Sequence, residues 1–171
     1  MKHFLFLLWT FASVLLAAEP LRLQVENLSF TSPADWIDGP VSSPMRKGTW
    51  RTGNAPDAAE ISFFAFGRDQ GGSVSQNIQR WFGQFSGSAS KGESATVVVH
   101  ERTITFARSE GTFSTGLPGA PTTPIPDQAL FGAIIETEAG MVFVKMTGPK
   151  STVQKMESAF TALVTNAAKS R

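Results

Sequence analysis

The sequence predicts an α+β fold, in which a mostly antiparallel sheet of about six to seven strands carries a helix on each face. Strand patterns come in runs that are separated by two helical patterns, an order typical of antiparallel sheets. The strand pattern from Ala59 to Phe66 is apolar on both sides, which indicates a strand that is covered on both faces. Each helical pattern carries one apolar stripe, so each helix is expected to bury that stripe against the sheet.

Three strands are predicted before the first helix. Apolar–polar alternation predicts a strand from Leu21 to Phe30, and a weaker pattern predicts a strand from Met45 to Thr52 with Trp50 pointing inwards. The third is the strand from Ala59 to Phe66. Turn signals that contain proline lie between these strands.

A capping box predicts the start of the first helix. Ser73 follows two glycines and is a favourable N-cap, and Gln76 stands three positions later, as this motif requires. Apolar residues at helical spacing then extend the helix to about Phe85. They are Val74, Ile78, Trp81, Phe82 and Phe85.

Four further strands are expected in the second half of the chain. Strands Thr96 to Val99 and Thr103 to Phe113 flank a turn near Glu101. Strands Ala129 to Glu136 and Met141 to Thr147 are joined by a short link and form an antiparallel hairpin.

The second helix is predicted to begin after Gly148-Pro149, because proline fits the first helical turn. Its apolar stripe consists of Val153, Met156, Phe160, Leu163 and Val164.

The N-terminus has the pattern of a secretory signal peptide, predicted as residues 1–18. Lys2 precedes an apolar run from Phe4 to Ala18, and small residues end it, although Leu16 stands where a small residue is preferred. The alternative is an uncleaved anchor, but the run is shorter than the ~20 residues that span a bilayer. We therefore expect export to the periplasm or beyond the cell, with residues 19–171 as one domain and no membrane span after cleavage.

Composition excludes several classes of protein. Removing residues 1–18 removes Lys2 and no acid, which leaves 14 bases and 14 acids. This balance argues against nucleic-acid binding, which needs an excess of positive charge. Cysteine is absent, so the protein has no disulfide and no cysteine to carry a lipid, and its stability depends on its core.

Two stretches resemble the PsbP-like α/β/α sandwich. The stretch from Leu28 to Trp36 looks like that superfamily's strand, proline turn and tryptophan, and the stretch from Phe131 to Pro149 looks like a hairpin of small exported bacterial proteins with this fold. The order of the predicted strands and helices also resembles this fold, and with it the likeness covers most of residues 21–165. Members include a photosystem II extrinsic subunit and a nuclear-import factor that binds a small GTPase. The resemblance implies a binding or accessory domain rather than an enzyme, but it carries over no site residue, because fold alone does not fix function.

Candidate chemical groups are sparse, so no catalytic, cofactor or metal site is predicted. His100 is the only histidine in residues 19–171 and has no nucleophile motif nearby. Asp35 and Asp38 lack the ligand density that calcium needs. Glu136 and Glu138 flank a hairpin turn, where exposed acids are common.

Two further motifs favour structural interpretations. The segment Gly148-Pro149-Lys150-Ser151-Thr152 lacks the glycine pattern of a phosphate loop and is expected to start a helix. The aromatic stripe of the first helix is expected to be core. Trp36 and Trp50 lie near turns, and an exposed tryptophan there would mark a contact surface.

The remaining candidate is the segment from Gly116 to Asp127, whose four prolines and two glycines exclude regular structure. Prolines lower the entropy that is lost when a partner binds a loop. The predicted partner surface is Leu117, Pro118, Pro121 and Ile125, and the alternative is a plain connection across the end of the sheet.

The functional hypothesis is an exported, non-catalytic binding or accessory domain whose partner is another envelope or secreted protein. A hydrolase that uses carboxylates or hydroxyls and a carrier of a small apolar ligand are the alternatives.

Overall fold

The computed structural model describes residues 18–87, 92–114 and 123–170. Within them the chain forms ten strands and two helices. In order these are β1 (Arg22–Val25), β2 (Leu28–Thr31), β3 (Ile37–Asp38), β4 (Arg46–Arg51), β5 (Glu60–Gly67), α1 (Val74–Phe82), β6 (Phe85–Ser86), β7 (Glu93–Val99), β8 (Arg102–Phe113), β9 (Ile125–Thr137), β10 (Gly140–Pro149) and α2 (Lys150–Lys169). Residues 1–17, which hold nearly all of the predicted signal peptide, lie outside the described part.

The strands form one antiparallel sheet and one separate hairpin. The main sheet of the described residues has eight strands in the order β3-β4-β5-β10-β9-β8, and both β6 and β7 pair with the outer side of β8. The hairpin pairs β1 with β2. The predicted α+β class is confirmed, with more strands than the six to seven expected.

The two helices pack on opposite faces of the main sheet. Along β9, Leu130 and Ile134 belong to the apolar cluster beneath α1, whereas Phe131 and Ile135 belong to the cluster beneath α2. Successive side chains of a strand point to opposite faces, so this alternation places one helix on each side. Because a helix covers each side of the sheet, β9 is apolar on both faces.

The core beneath α2 is the larger of the two clusters. Phe160 is fully buried, with its ring centroid 5.1 Å from that of Phe131. The β1–β2 hairpin extends this core, because Phe30 packs edge-on against Phe63 at 5.0 Å. Trp36 and Trp50 are also buried here, which confirms the inward direction predicted for Trp50, and neither is the exposed tryptophan that would mark a contact surface.

The capping box at the start of α1 is confirmed. The Gln76 amide donates to the Ser73 hydroxyl, and the Gln76 side chain accepts from the Ser73 amide. The helix ends at Phe82 rather than near Phe85. Phe85 instead lies in β6, where it pairs with β8 and still reaches the same core.

Two other boundaries differ from the prediction. The expected single strand from Leu21 to Phe30 is a hairpin, because the chain turns at Glu26 with a positive φ of 51°. The segment from Gly116 to Asp127 is partly regular, because β9 already begins at Ile125. Pro126 is tolerated there, since β8 and β9 pair irregularly near this end of the strand.

Candidate functional site

One edge of the main sheet is exposed along the strand β7. β7 pairs only with β8, and within the described residues no strand pairs with its outer side. Every residue from Glu93 to Val98 is exposed, and Val98 is 70% exposed. A free edge presents a row of unpaired N–H and C=O groups, to which another strand can bind.

The edge lacks the features by which proteins usually prevent pairing. Lysine, proline and β-bulges are common protective devices. β7 has none of them: its sequence is Glu-Ser-Ala-Thr-Val-Val-Val, and its register with β8 runs unbroken from Glu93 opposite Arg108 to Val99 opposite Arg102. The strand is therefore rich in β-forming residues, and no strand of the described residues occupies its outer side.

A shallow groove runs beside this edge on the α2 face. It has a volume of about 260 Å³ and lies between β7, β8 and α2. The stacked rings of Phe106 and Phe131, 5.7 Å apart, belong to its lining. Arg108 lies at its rim with its guanidinium 3.5 Å from the Glu93 carboxylate and 3.6 Å from the Glu157 carboxylate. The groove thus combines an aromatic surface with exposed charges of both signs.

A second, larger groove lies at the end of the sheet where the β7–β8 and β9–β10 turns meet the C-terminus of α2. Its volume is about 730 Å³, and we call it the end groove. It is lined by His100 and by the pair Glu136 and Glu138, which the sequence analysis considered separately from His100. His100 and Glu101 form the β7–β8 turn and both have positive φ, 48° and 68°.

In the described part of the chain, no group of three or more histidine, aspartate or glutamate side chains is arranged to hold a metal ion. Asp35 and Asp38, the weak calcium candidates, are both exposed, and Asp38 lies in the short strand β3.

A polar cluster lies on the α1 side of the sheet, on the strands β4, β5 and β10. The Arg46 guanidinium is 2.6 Å from the Glu60 carboxylate, which also accepts a bond of 3.0 Å from the Ser62 hydroxyl. The Lys145 ammonium donates to the Gln84 side-chain oxygen at 3.3 Å. Burial, and secondly the nearby Arg46 charge, lower the pKa of Lys145 from 10.5 to about 8, although Glu60 opposes this shift. Perturbed pKa values are common at functional sites.

The predicted partner surface is only partly within the described residues. Leu117, Pro118 and Pro121 lie outside them. Ile125 lies at the start of β9 opposite Phe113, and it is 48% exposed.

Other sequence candidates have structural roles. Trp81 and Phe85 are buried, so the aromatic stripe is core, as predicted. Lys150 begins α2 and its ammonium lies 2.7 Å from the Glu110 carboxylate, which agrees with a helix start rather than a phosphate loop.

The free edge of β7 is the feature that the sequence did not predict. Its strand was predicted in part, as Thr96 to Val99, but its place at the rim of the sheet was not. The run Val97-Val98-Val99 does not alternate between apolar and polar residues, so the sequence does not indicate which side of this strand is covered.

No family model matches the sequence, and no curated protein matches it. Solved structures do resemble the chain. The solution structure of cyanobacterial PsbP (CyanoP) from Synechocystis sp. PCC 6803 is 12% identical, with a TM-score of 0.55, and the match covers 92% of this chain and 95% of that one. A protein of unknown function from Pseudomonas aeruginosa, PA94, is 10% identical, with a TM-score of 0.43 and coverage of 86% and 95%. The likeness to CyanoP shows that the fold is PsbP-like.

Proposed function

We propose that this chain, whose fold is PsbP-like, is an exported, non-catalytic binding domain that docks an extended segment of another envelope or secreted protein along β7. The observation that carries the proposal is the outer edge of β7, which pairs with no strand in the described part of the chain and carries no lysine, proline or bulge. Strand addition uses backbone hydrogen bonds for affinity and alternate side-chain contacts for specificity.

The groove beside the edge supports an extended ligand. Ala95 and Val97 of β7 lie opposite Phe106 and Ile104 of β8, so all four side chains share the α2 face. An added strand would direct every second side chain over the same face, towards the Phe106 and Phe131 rings. The groove of about 260 Å³ suits small or medium apolar side chains there, with polar ones at the Arg108 rim.

A second contact is proposed at the segment before β9. Ile125, the first residue of β9, is exposed, and Leu117, Pro118 and Pro121 precede it in the chain. A form that lacks this loop should recover less partner than the wild type if the segment contributes to binding.

Export is supported by the N-terminal pattern of Lys2 and the apolar run behind it. The mass of the protein purified from its host measures this directly. Loss of residues 1–18 is expected, and a mass that includes them would contradict cleavage. Among the described residues no helix is long and apolar enough to cross a membrane.

Site-specific crosslinking tests the docking surface, because the chain contains no cysteine of its own. Val98→Cys on the edge and Val41→Cys elsewhere each place one photoreactive label at an exposed valine, 70% and 56% exposed in the wild type. In an envelope extract the label at position 98 should capture a protein that the label at position 41 does not. Adding Val97→Lys should abolish that capture, because lysine on an edge opposes pairing.

Three outcomes would contradict the docking proposal. Identical captured proteins at positions 98 and 41 would indicate nonspecific contact. Capture that persists with Val97→Lys would exclude pairing along the edge. Crosslinks between two copies of this chain would identify a homodimer rather than a partner complex.

A second candidate function, hydrolysis by carboxylates, is favoured by the end groove, where Glu136 and Glu138 line a groove together with Lys169. Assay of the wild type and of Glu136→Gln/Glu138→Gln on chromogenic glycosides and esters separates the two functions. Turnover by the wild type that the double variant loses would favour the hydrolase, whereas equal background rates agree with binding alone. The third hypothesis, a carrier of a small apolar ligand, predicts that native mass spectrometry shows a ligand mass in addition to that of the protein.

A further inference from the structure

Three grooves adjoin one another on the α2 side of the β7 edge. The groove that holds the Phe106 and Phe131 rings shares Glu93 and Arg108 with a second groove of about 270 Å³. A third groove of about 480 Å³ lies on the flank of α2, and Glu157 lines all three. A strand added to β7 would direct every second side chain over this face, so the chemistry of the grooves selects those side chains.

The grooves are lined by more carboxylates than cations. The carboxylates are those of Glu93, Glu110 and Glu157, and Arg108 is the one cationic side chain among the described lining residues. The Lys150 ammonium compensates Glu110 at a distance of 2.7 Å. Arg108 is then shared by Glu93 and Glu157, so one negative charge of the described residues stays uncompensated at this end of β7.

The carboxylates of Glu93 and Glu157 keep their capacity to accept hydrogen bonds. The Arg108 guanidinium lies 3.5 and 3.6 Å from them, which is longer than the about 2.7–2.9 Å of a charge-assisted hydrogen bond. Within the described part of the chain neither carboxylate accepts any hydrogen bond. A cationic side chain of a ligand can therefore bind at this point without displacing a hydrogen bond of the protein.

The surface becomes apolar two residues further along β7. Ala95 follows Glu93 on the α2 face, and it lines the same groove as the stacked rings of Phe106 and Phe131. Val97, which is 41% exposed, continues this face. Along its α2 face, β7 thus presents one acidic position followed by two apolar positions.

We propose, as an inference that rests on the docking function proposed for β7, that the bound segment carries a lysine or arginine beside Glu93 and apolar side chains beside Ala95 and Val97. The described strands of the main sheet all pair antiparallel, and antiparallel pairing is the more stable kind, so the segment runs antiparallel to β7. From its N-terminus the segment then has the pattern apolar-x-apolar-x-basic. An acidic side chain at the last position would meet two carboxylates, and this repulsion excludes segments of the wrong charge.

Synthetic peptides with blocked termini test this pattern on the wild-type protein. The reference peptide is Thr-Val-Thr-Val-Thr-Lys-Thr, the second has glutamate in place of lysine, and the third has the reversed order Thr-Lys-Thr-Val-Thr-Val-Thr. In a titration followed by amide NMR, the reference peptide should shift the β7 amides and saturate. The glutamate peptide should bind at least about threefold more weakly, the effect of one exposed ion pair, and the reversed peptide should also bind more weakly. High salt should reduce the difference between lysine and glutamate peptides, because it screens exposed charges.

Variants of the protein then identify the carboxylates that select the charge. Glu93→Gln should reduce the preference for the lysine peptide to within about twofold, because Arg108 and Glu157 then compensate each other. Glu93→Gln/Glu157→Gln should reverse the preference, because Arg108 is then the uncompensated charge. Glu26→Gln is the matched control, since Glu26 is exposed in the β1–β2 turn and the side-chain change is identical. It should retain the wild-type preference.

Failure of this inference and failure of the docking proposal give different results. Equal affinity of the lysine and glutamate peptides at β7, or the same loss of preference in Glu26→Gln as in Glu93→Gln, would overturn the charge pattern and leave strand docking intact. Tighter binding of the reversed peptide would overturn the antiparallel order. If no peptide shifts the β7 amides at millimolar concentration, docking at this edge is contradicted, and the pattern with it.

Discussion

Gly132 determines how closely α1 approaches the sheet, and adding one methyl group there gives a quantitative prediction. Gly132 lies in the middle of β9, opposite Lys145 and Ala107. A Cβ atom at this position would lie 2.5 Å from Cζ3 of Trp81 and 3.0 Å from two other ring carbons. Real Cβ atoms do not come this close, so the ring must move.

The ring has little room to move. Trp81 is 7% exposed and packs edge-on against Phe143, at 6.0 Å between centroids and an interplanar angle of 89°. Overpacking of such a core costs about 1–3 kcal/mol. Replacing glycine by alanine in a strand otherwise stabilises by about 0.5–1 kcal/mol, because the unfolded chain loses freedom. Gly132→Ala should therefore lower the free energy of unfolding by about 0.5–2 kcal/mol.

Urea unfolding followed by far-ultraviolet circular dichroism measures this change and does not depend on the tryptophan signal. In a Trp81→Ala background the obstacle is gone, so the same Gly132→Ala change should become neutral or stabilising. Gly83→Ala is the control, since Gly83 has φ −62° and its nearest new contact is 3.4 Å away. Gly83→Ala should leave the free energy of unfolding within about 0.5 kcal/mol of the wild-type value, or raise it.

Two results would refute the reasoning: a Gly132→Ala protein at least as stable as the wild type, or a destabilisation that stays the same when Trp81 is absent. The second result would mean that the cost arises in the strand itself rather than between strand and helix. The stability effects of mutations at distant sites add to within about 0.3–0.5 kcal/mol. A change in the sign of the Gly132→Ala effect when Trp81 is removed would exceed that error.

Three further predictions concern stability. Phe160→Ala should lower the free energy of unfolding by about 3–5 kcal/mol in urea, because Phe160 is fully buried; a loss below about 1 kcal/mol would contradict this placement. Arg102→Met should speed amide exchange in the last turn of α2, because the Arg102 guanidinium donates to the carbonyls of Ala168 and Ser170 at 2.6 and 2.7 Å; unchanged exchange would show that these bonds contribute little. Lys145 should make stability depend on pH. Its folded pKa, about 8, lies below the ordinary 10.5, so the unfolded chain binds more protons between these values, and wild-type stability should rise with pH across that window relative to Lys145→Met. Parallel pH profiles of the two proteins would refute this.

Much of the fold follows from local sequence patterns. The capping box at Ser73 and Gln76, the strand from Ala59 to Phe66 and the hairpin after Glu136 depend on residues close together in the chain, and all are confirmed. The errors lie where a local pattern was ambiguous. The alternation from Leu21 to Phe30 is compatible with one long strand and also with two short strands in a tight hairpin. Only the turn at Glu26 distinguishes the two arrangements.

The candidate sites were much less accessible to sequence reasoning. His100 and Glu136 stand far apart in the chain, and nothing near either residue indicates that two turns bring them into the end groove. The same holds for Ser62 and Lys145, whose pairing depends on the register of β5 with β10. The exposure of Val98 depends on β7 being the outermost strand, and that is a property of the whole sheet.

The sequence by itself determined the class of the fold, the starts of both helices and the stripe of each helix that is buried, because periodicity and capping act over a few residues. Only the tertiary structure decided which strand remains at the rim and which side chains share a face, because strand order and register depend on contacts between segments that are distant in the chain. For this protein the free edge of β7 and the amine of Lys145 both belong to that second category.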